Sequence, residues 1–346
     1  MIMALLCIAF SLSYGGDGNP IHHWTWTYSK YFSESLSIAN TYKKIISFTQ
    51  ENVPPFTQLI FSWNAFRPKK DYFSFYVQVR DAITKKWGSW HHMVDWGDNM
   101  QQSYFSKSDG FSSYFHVRLE IDDKKVSDAF RIKVESQKSV SLSLIRNFTV
   151  TISDFNNFKP EIYDNVLFKN LPSIHILNVP EVAQFALDHV DKSRICSPVS
   201  CSMVTNYITK KRLDPLDFAA GVFDKGLDIY GSWGCNTAHA FEQVGGKMCF
   251  FVKRMNSFLD LHAYLLKGIP IIVSVRGNLP GALKSFPHGH LLVVVGWDQR
   301  TQELLCHDPA ANNDDMVFKR YPLVYFLRAW ESSHRLAYIA EAVSRE

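Results

Sequence analysis

The stretch Ser193 to Tyr207, SRICSPVSCSMVTNY, places Cys196 directly before a Ser-Pro pair and a run of helical character. Proline fits the first turn of a helix, where its missing N–H costs nothing, so Pro198 marks a helix start. Val199, Met203 and Val204 then recur at helical spacing, with Tyr207 one turn further on. Cys196 is therefore expected at the N-terminal mouth of a buried helix, where the positive end of the helix dipole favours thiolate over thiol. A thiolate so placed is a nucleophile or a metal ligand. No Cys-x-x-Cys or Cys/His pair at zinc spacing lies nearby, which disfavours the ligand.

The partners a nucleophile needs follow downstream. His290 opens HLLVVVGWD, an apolar β-branched run expected to form a buried strand ending at Gly296. After the turn Asp298 to Gln302, Leu304-Leu305-Cys306 predicts a second short strand, closed by His307-Asp308-Pro309. A histidine at the start of one strand and an acid at the end of its antiparallel neighbour can face each other, giving nucleophile, base and orienting carboxylate. Gln184 is the candidate side-chain donor that would join the Cys196 backbone N–H in an oxyanion hole, although a glutamine in such a strand-to-loop segment is ordinarily a surface residue.

Each of these residues has a plainer reading. Cys196 could be an ordinary buried cysteine, and Asp308 could only cap the turn before Pro309. His288 rivals His290 as the base, since both would share one strand face if the strand began early. His290 is preferred because it leads straight into the apolar run. His307 is expected to be a solvated turn residue, Asn236 to cap the helix running through His239 and Phe241, and His239 to be packed rather than catalytic.

Taken together, Gln184, Cys196-Ser-Pro-x-Ser with Met203, Gly289-His290 before VVVGWD, and Asp308-Pro309 resemble the C39-like peptidase domains, bacterial papain-fold cysteine peptidases related to bacteriocin-leader peptidases. GSWGCNTAHAF (Gly231 to Phe241) and GIPIIVSV (Gly268 to Val275) are similar to that family as well. The resemblance runs from Val179 to Ala340 and implies a papain-like fold, a peptide or protein substrate, a Cys196–His290–Asp308 triad with Gln184 at the oxyanion site, and no cofactor. Cys201 departs from the family pattern. Five residues along a helix points it away from Cys196.

The rest of the chain bounds this reading. At 346 residues it is long enough for two domains, each with its own core. A net charge of +4, from 37 Lys and Arg against 33 Asp and Glu, is too small and dispersed to argue for nucleic acid. Met1 to Ser13, MIMALLCIAFSLS, is too short to span a bilayer and reads as the apolar region of a signal peptide, though no Lys or Arg precedes it. Residues 1–18 are thus expected to be a leader and the protein to be secreted or extracytoplasmic. The alternative is a buried first strand.

From 19 to 155 the pattern is strand-like. Gln58 to Trp63, Phe73 to Arg80, Phe115 to Ile121, Phe130 to Val134 and Ser143 to Ser153 are β-rich runs separated by turn signals. Long helical periodicity is missing, so this half is expected to be an antiparallel β-sandwich. Its tryptophans are candidates for core packing or for lining a carbohydrate or protein-ligand groove. His91 and His92 are adjacent and would point to opposite faces of a strand. Residues 156–178, polar with scattered prolines, predict a linker, and 179–346 the C39-like domain.

The expected class is α+β: a papain-like cysteine peptidase domain C-terminal to a β-sandwich. Two other function classes share these residues: an exported binding or adhesion protein with a silent papain-like half, and an acyltransferase using the same thioester. No phosphate-binding Gly-rich motif is present, so the chain is not itself a peptide-exporting ATPase. Five cysteines follow the leader, enough for disulfides outside the cytoplasm, with no pairing fixed.

Overall fold

The computed structural model describes residues 23–32, 45–115, 117–138, 140–161 and 168–343. The expected leader and Cys7 lie outside them.

Alternation of apolar and polar residues builds the N-terminal half. In β4 (Phe73–Asp81) Phe73, Phe75, Val77 and Val79 point one way and are fully buried, and in β9 (Ser127–Ser136) Phe130, Ile132 and Val134 do the same. With β2 (Ile45–Phe56), β5 (His91–Trp96) and β6 (Gln101–Ser103) these form one sheet, in the order β2-β9-β4-β5-β6. A second sheet runs β1-β10-β3-β8-β7, from β1 (Thr25–Tyr31), β10 (Ile145–Ser153), β3 (Gln58–Ala65), β8 (Arg118–Ile121) and β7 (Ser112–Phe115). Every pairing is antiparallel, and inward side chains of both sheets meet in one core.

Several details differ from the sequence expectation. Phe115 to Ile121 is a hairpin rather than one strand, broken where Val117 takes a positive φ of 96°. Trp24, Trp63 and Trp96 are core residues, whereas Trp87 is half-buried and Trp90 exposed. His91 is buried between the hydroxyls of Ser106 and Ser112, and His92 stacks outside between Tyr76 and Tyr104.

The C-terminal half is one antiparallel sheet with helices. Its strand order is β12-β17-β13-β14-β15-β16, from β12 (Met248–Arg254), β17 (Leu336–Ala342), β13 (Ile271–Gly277), β14 (Phe286–Asp298), β15 (Glu303–His307) and β16 (Phe318–Pro322). The helices are α1 (Cys196–Thr209), α2 (Pro215–Val222), α3 (Trp233–Gln243), α4 (Phe258–Leu266) and α5 (Leu323–Glu331). Helix α1 packs against β14 and β13 with ten consecutive residues, Ser197 to Asn206, buried. Among the described residues no helix is long and apolar enough to cross a membrane.

Three expectations are corrected here. Ser232, not Asn236, precedes the first turn of α3; Asn236 lies inside the helix and donates back to the carbonyls of Tyr230 and Ser232, both at 2.8 Å. His307 is buried rather than solvated, with Nδ1 donating to Pro180 O at 3.2 Å, and burial lowers its ring to about 4. The expected linker is partly built into the C-terminal half: Phe168 is a core residue, and β11 (Ile174–His175) pairs with Gly296 and Trp297 of β14.

The two halves also share buried structure. Backbone N–H groups of Phe250 and Val252 in β12 donate to Asn64 Oδ1 and Ser62 Oγ of β3, at 2.8 and 3.0 Å. Cys235 and Ala238 of α3 belong to the N-terminal core, and Gly234 is required there because a Cβ would lie 2.6 Å from the Trp63 ring. All five described cysteines are free.

Candidate active site

Helix α1 begins at Cys196 without a side-chain cap, and Pro198 sits in its first turn as the sequence predicts. Its first residues are tied to β14. Ser200 Oγ, one turn beyond Cys196, donates to Leu291 O at 3.1 Å, while the Leu291 N–H donates to the Cys196 sulfur. The half-buried thiol is thereby held against the first residues of the apolar run, and it hydrogen-bonds to the His290 ring.

His290 and Asp308 meet through strand register. Val293 pairs with His307 across β14 and β15, so Asp308 continues opposite Leu292, and His290 is the diagonal neighbour on the same face. His290 Nε2–H donates to Asp308 Oδ1 at 2.6 Å, with both side chains buried. Since Nε2 is committed to Asp308, the thiol meets the other ring nitrogen, Nδ1.

Asp308 has no exposure and is fully satisfied. Oδ1 also accepts the Ala310 N–H at 2.9 Å, so the residue does cap the turn after β15, and Oδ2 accepts the Tyr321 hydroxyl at 2.7 Å. The Phe286 ring stacks on His290.

The electrostatics reinforce one another. Burial alone would push the Cys196 thiol up, but the His290 hydrogen bond and charge outweigh it and hold it below its ordinary value. Burial would lower His290; the Asp308 charge and hydrogen bond, with Cys196, raise it to about 10. Asp308, which burial would raise, is held below the ordinary carboxylate range by His290 and by its donors. All three shifts favour a thiolate–imidazolium–carboxylate chain.

The rivals fall away on placement. His288 is exposed, on the far side of Gly289. Cys201 is buried, and burial followed by the Cys196 charge pushes its thiol up. His239 is packed edge-on against Phe218 at 4.6 Å.

Gln184 is buried rather than a surface residue. Its backbone N–H donates to Pro309 O at 2.8 Å and its Nε2 to Lys192 O at 2.8 Å. It thus ties the segment four residues before Cys196 to the residue following Asp308. One Nε2 hydrogen remains beyond the bond to Lys192.

Residues 176–338 match the profile of the Peptidase_C39 like family. The match covers the part of the chain whose motifs resemble the C39-like peptidases, a little under half of its length. The match leaves the N-terminal sheets outside. Among solved structures the chain is similar to one described as a C39-like peptidase from Bacillus anthracis, at 16% identity and a TM-score of 0.39, over 51% of this chain and 100% of that one. It is also similar to xylellain, a cysteine protease from Xylella fastidiosa, at 12% identity and a TM-score of 0.33, over 54% and 91%. No curated protein matches the chain.

Three contributors to this cluster were not found from sequence. The Leu291 N–H is a backbone group and carries no residue signature. Phe286 lies in FPHGH, which reads as a turn until the strand is seen to start there. Tyr321 stands before a proline in a short strand with no motif around it.

Proposed function

We propose that the protein is a cysteine peptidase that hydrolyses peptide bonds through Cys196, His290 and Asp308. The observation that carries this reading is the unbroken hydrogen-bonded chain from the Cys196 thiol through His290 to the buried Asp308, inside a C39-like domain. The thiolate attacks the scissile carbonyl carbon, and the carbonyl electrons move onto oxygen. The Cys196 backbone N–H at the helix start and the remaining Nε2–H of Gln184 are the donors we assign to that oxyanion. Collapse of the intermediate breaks the C–N bond. The leaving nitrogen takes its proton from His290, and a thioester to Cys196 remains. Water then enters, gives a proton to His290, and releases the acid product and the free thiol. The N-terminal half, read as a β-sandwich, buttresses α3 from behind.

The test uses the full-length protein with a mixture of unrelated peptides, followed by mass spectrometry. Wild type and Cys201→Ala should cleave, and Cys196→Ala should not while keeping its fold. A cleaving Cys196→Ala variant would sink the assignment. Products extended by an added amine, in place of hydrolysed ones, would move the reading to acyl transfer.

A further inference from the structure

The Asp308 carboxylate is the only acid that touches His290 among the described residues, and what holds that carboxylate is not another backbone turn alone. Its Oδ1 is shared between His290 and the Ala310 N–H, while its Oδ2 takes the Tyr321 hydroxyl at 2.7 Å. Tyr321 has no exposure, and β16 runs antiparallel beside β15 with Tyr321 opposite Leu304, on the strand face that Cys306 and Asp308 continue. A phenol buried this deeply needs an acceptor, and a buried carboxylate oxygen needs a donor. The bond satisfies both.

We propose that Tyr321 is a positioning residue of the peptidase site, fixing the plane and the ionised state of Asp308 so that Oδ1 faces His290. The proposal rests on the assignment of Cys196, His290 and Asp308 above. Without the hydroxyl, Oδ2 would be a charged oxygen in a dry site with no donor. The carboxylate then either rotates to find one or takes the proton from His290. In both cases the imidazolium loses support, and the Cys196 thiolate loses its counter-charge. Tyr321→Phe keeps the ring and its packing and removes only the donor. A packing role and a positioning role therefore separate cleanly.

The readout is the rate of Cys196 alkylation by iodoacetamide against pH on the full-length protein, located by peptide mapping. It needs no peptide substrate, so a protein inert to every peptide would defeat the proposed function and leave this test standing. Loss of a hydrogen bond to a charged group corresponds to about a tenfold effect. Tyr321→Phe should move the midpoint upward by about one pH unit and cut the rate at pH 6 about tenfold, in the same direction as Asp308→Asn. A wild-type profile in Tyr321→Phe, with only a lower melting temperature, makes Tyr321 a packing residue and overturns the proposal. Should Tyr321→Phe not fold, 3-fluorotyrosine at position 321, a stronger donor of nearly the same shape, must shift the midpoint downward; an unmoved midpoint overturns the proposal equally.

Discussion

The ring of Phe286 lies flat on the imidazole of His290, with centroids 4.1 Å apart and planes 13° from parallel. Phe286 is buried and covers one face of the base, keeping water from that side of the His290–Asp308 hydrogen bond. A buried charge-assisted bond loses strength when water competes for it. Phe286→Ala should leave Cys196 in place yet reduce peptide turnover about tenfold or more, with kcat falling more than KM rises. Phe286→Leu, which restores bulk, should recover part of it. A turnover unchanged by Phe286→Ala would show that the stack does not protect the base.

Residues four apart in an extended strand do not ordinarily touch, so the stack needs a bend between them. Gly289 supplies it with a φ of 94°, a conformation open to glycine and strained for any other residue. A Cβ at Gly289 meets nothing within 4 Å, so Gly289→Ala tests backbone strain without a clash. The strain is about 1–3 kcal/mol. Relaxation would swing Phe286 away from His290 and lower turnover. Gly110→Ala, equally strained at φ 88° with open space around it but in the N-terminal half, is the matched control. It should lower stability and spare activity.

The pH profile follows from the signs of the shifts. Cys196 is depressed below its ordinary 9.0 and His290 is raised to about 10, so the ion pair spans the interval between the two titrations. Alkylation should rise with an acid-side midpoint below 9, and the thiolate–imidazolium pair should persist until His290 deprotonates near 10, above which the thiolate alone reacts. The stability contributed by a raised histidine is fully present below its unfolded value of 6.5 and is lost as pH rises through about 10. His290→Ala should return the thiol midpoint to 9 or above, because burial then acts unopposed. His288→Ala should change nothing. The reverse pattern would move the base to His288.

The placement of the three candidate side chains was more legible than the architecture. Cys196, His290 and Asp308 announce themselves because a proline fixes a helix start and β-branched runs fix strands on either side of one turn, so local rules determine where the side chains go. Gln184 was placed at the site by resemblance, but its burial depends on contacts with Lys192 and Pro309 that no local pattern encodes. The same holds for His307, which stands in a turn-like tripeptide and is buried because the segment around Pro180 folds over it. Strand β2 escaped notice because it is largely exposed, with a burial pattern too polar to alternate. The packing of α3 into the N-terminal core was invisible for a further reason: the small side chains Gly234, Cys235 and Ala238 give no amphipathic stripe pointing to a second partner.

Glu161 offers a pH test away from the site. Its carboxylate accepts the Phe258 N–H at 2.7 Å at the start of α4, and its backbone N–H donates to Glu331. Burial raises it to about 7, against the opposing pull of Arg335. A raised acid makes the folded state bind the proton more tightly, so stability falls as pH climbs from 4.5 to about 7 and the penalty is complete above that. Glu161→Gln keeps an oxygen acceptor and removes the titration. Its melting temperature should exceed wild type at pH 8 and converge on it at pH 5. An equal difference at both pH values would mean that the charge of Glu161 is not what the fold opposes.

The union of the two halves can be tested at Arg254, which is 4% exposed at the end of β12. Its Nε and Nη2 donate to Gln58 Oε1 of β3 at 3.0 and 2.8 Å, and Nη1 donates to the carbonyls of Ser333 and His334 at 2.8 and 3.0 Å. No carboxylate forms an ion pair with it among the described residues; burial, then the charge of Arg118, lowers it to about 9. The cation is held by dipoles, two of them carbonyls presented around the left-handed residues His334 and Arg335. Arg254→Met preserves length and apolar stem but leaves Gln58 and both carbonyls without their donor, a loss of about 3 kcal/mol. Gln58→Leu strands the cation and should cost about the same. Because each removes the same contact, the double variant should fall well short of the sum, and calorimetry should show a single transition lowered as a whole. Additive losses, or a lowered C-terminal transition beside an unmoved N-terminal one, would mean that the halves touch at Arg254 without depending on each other.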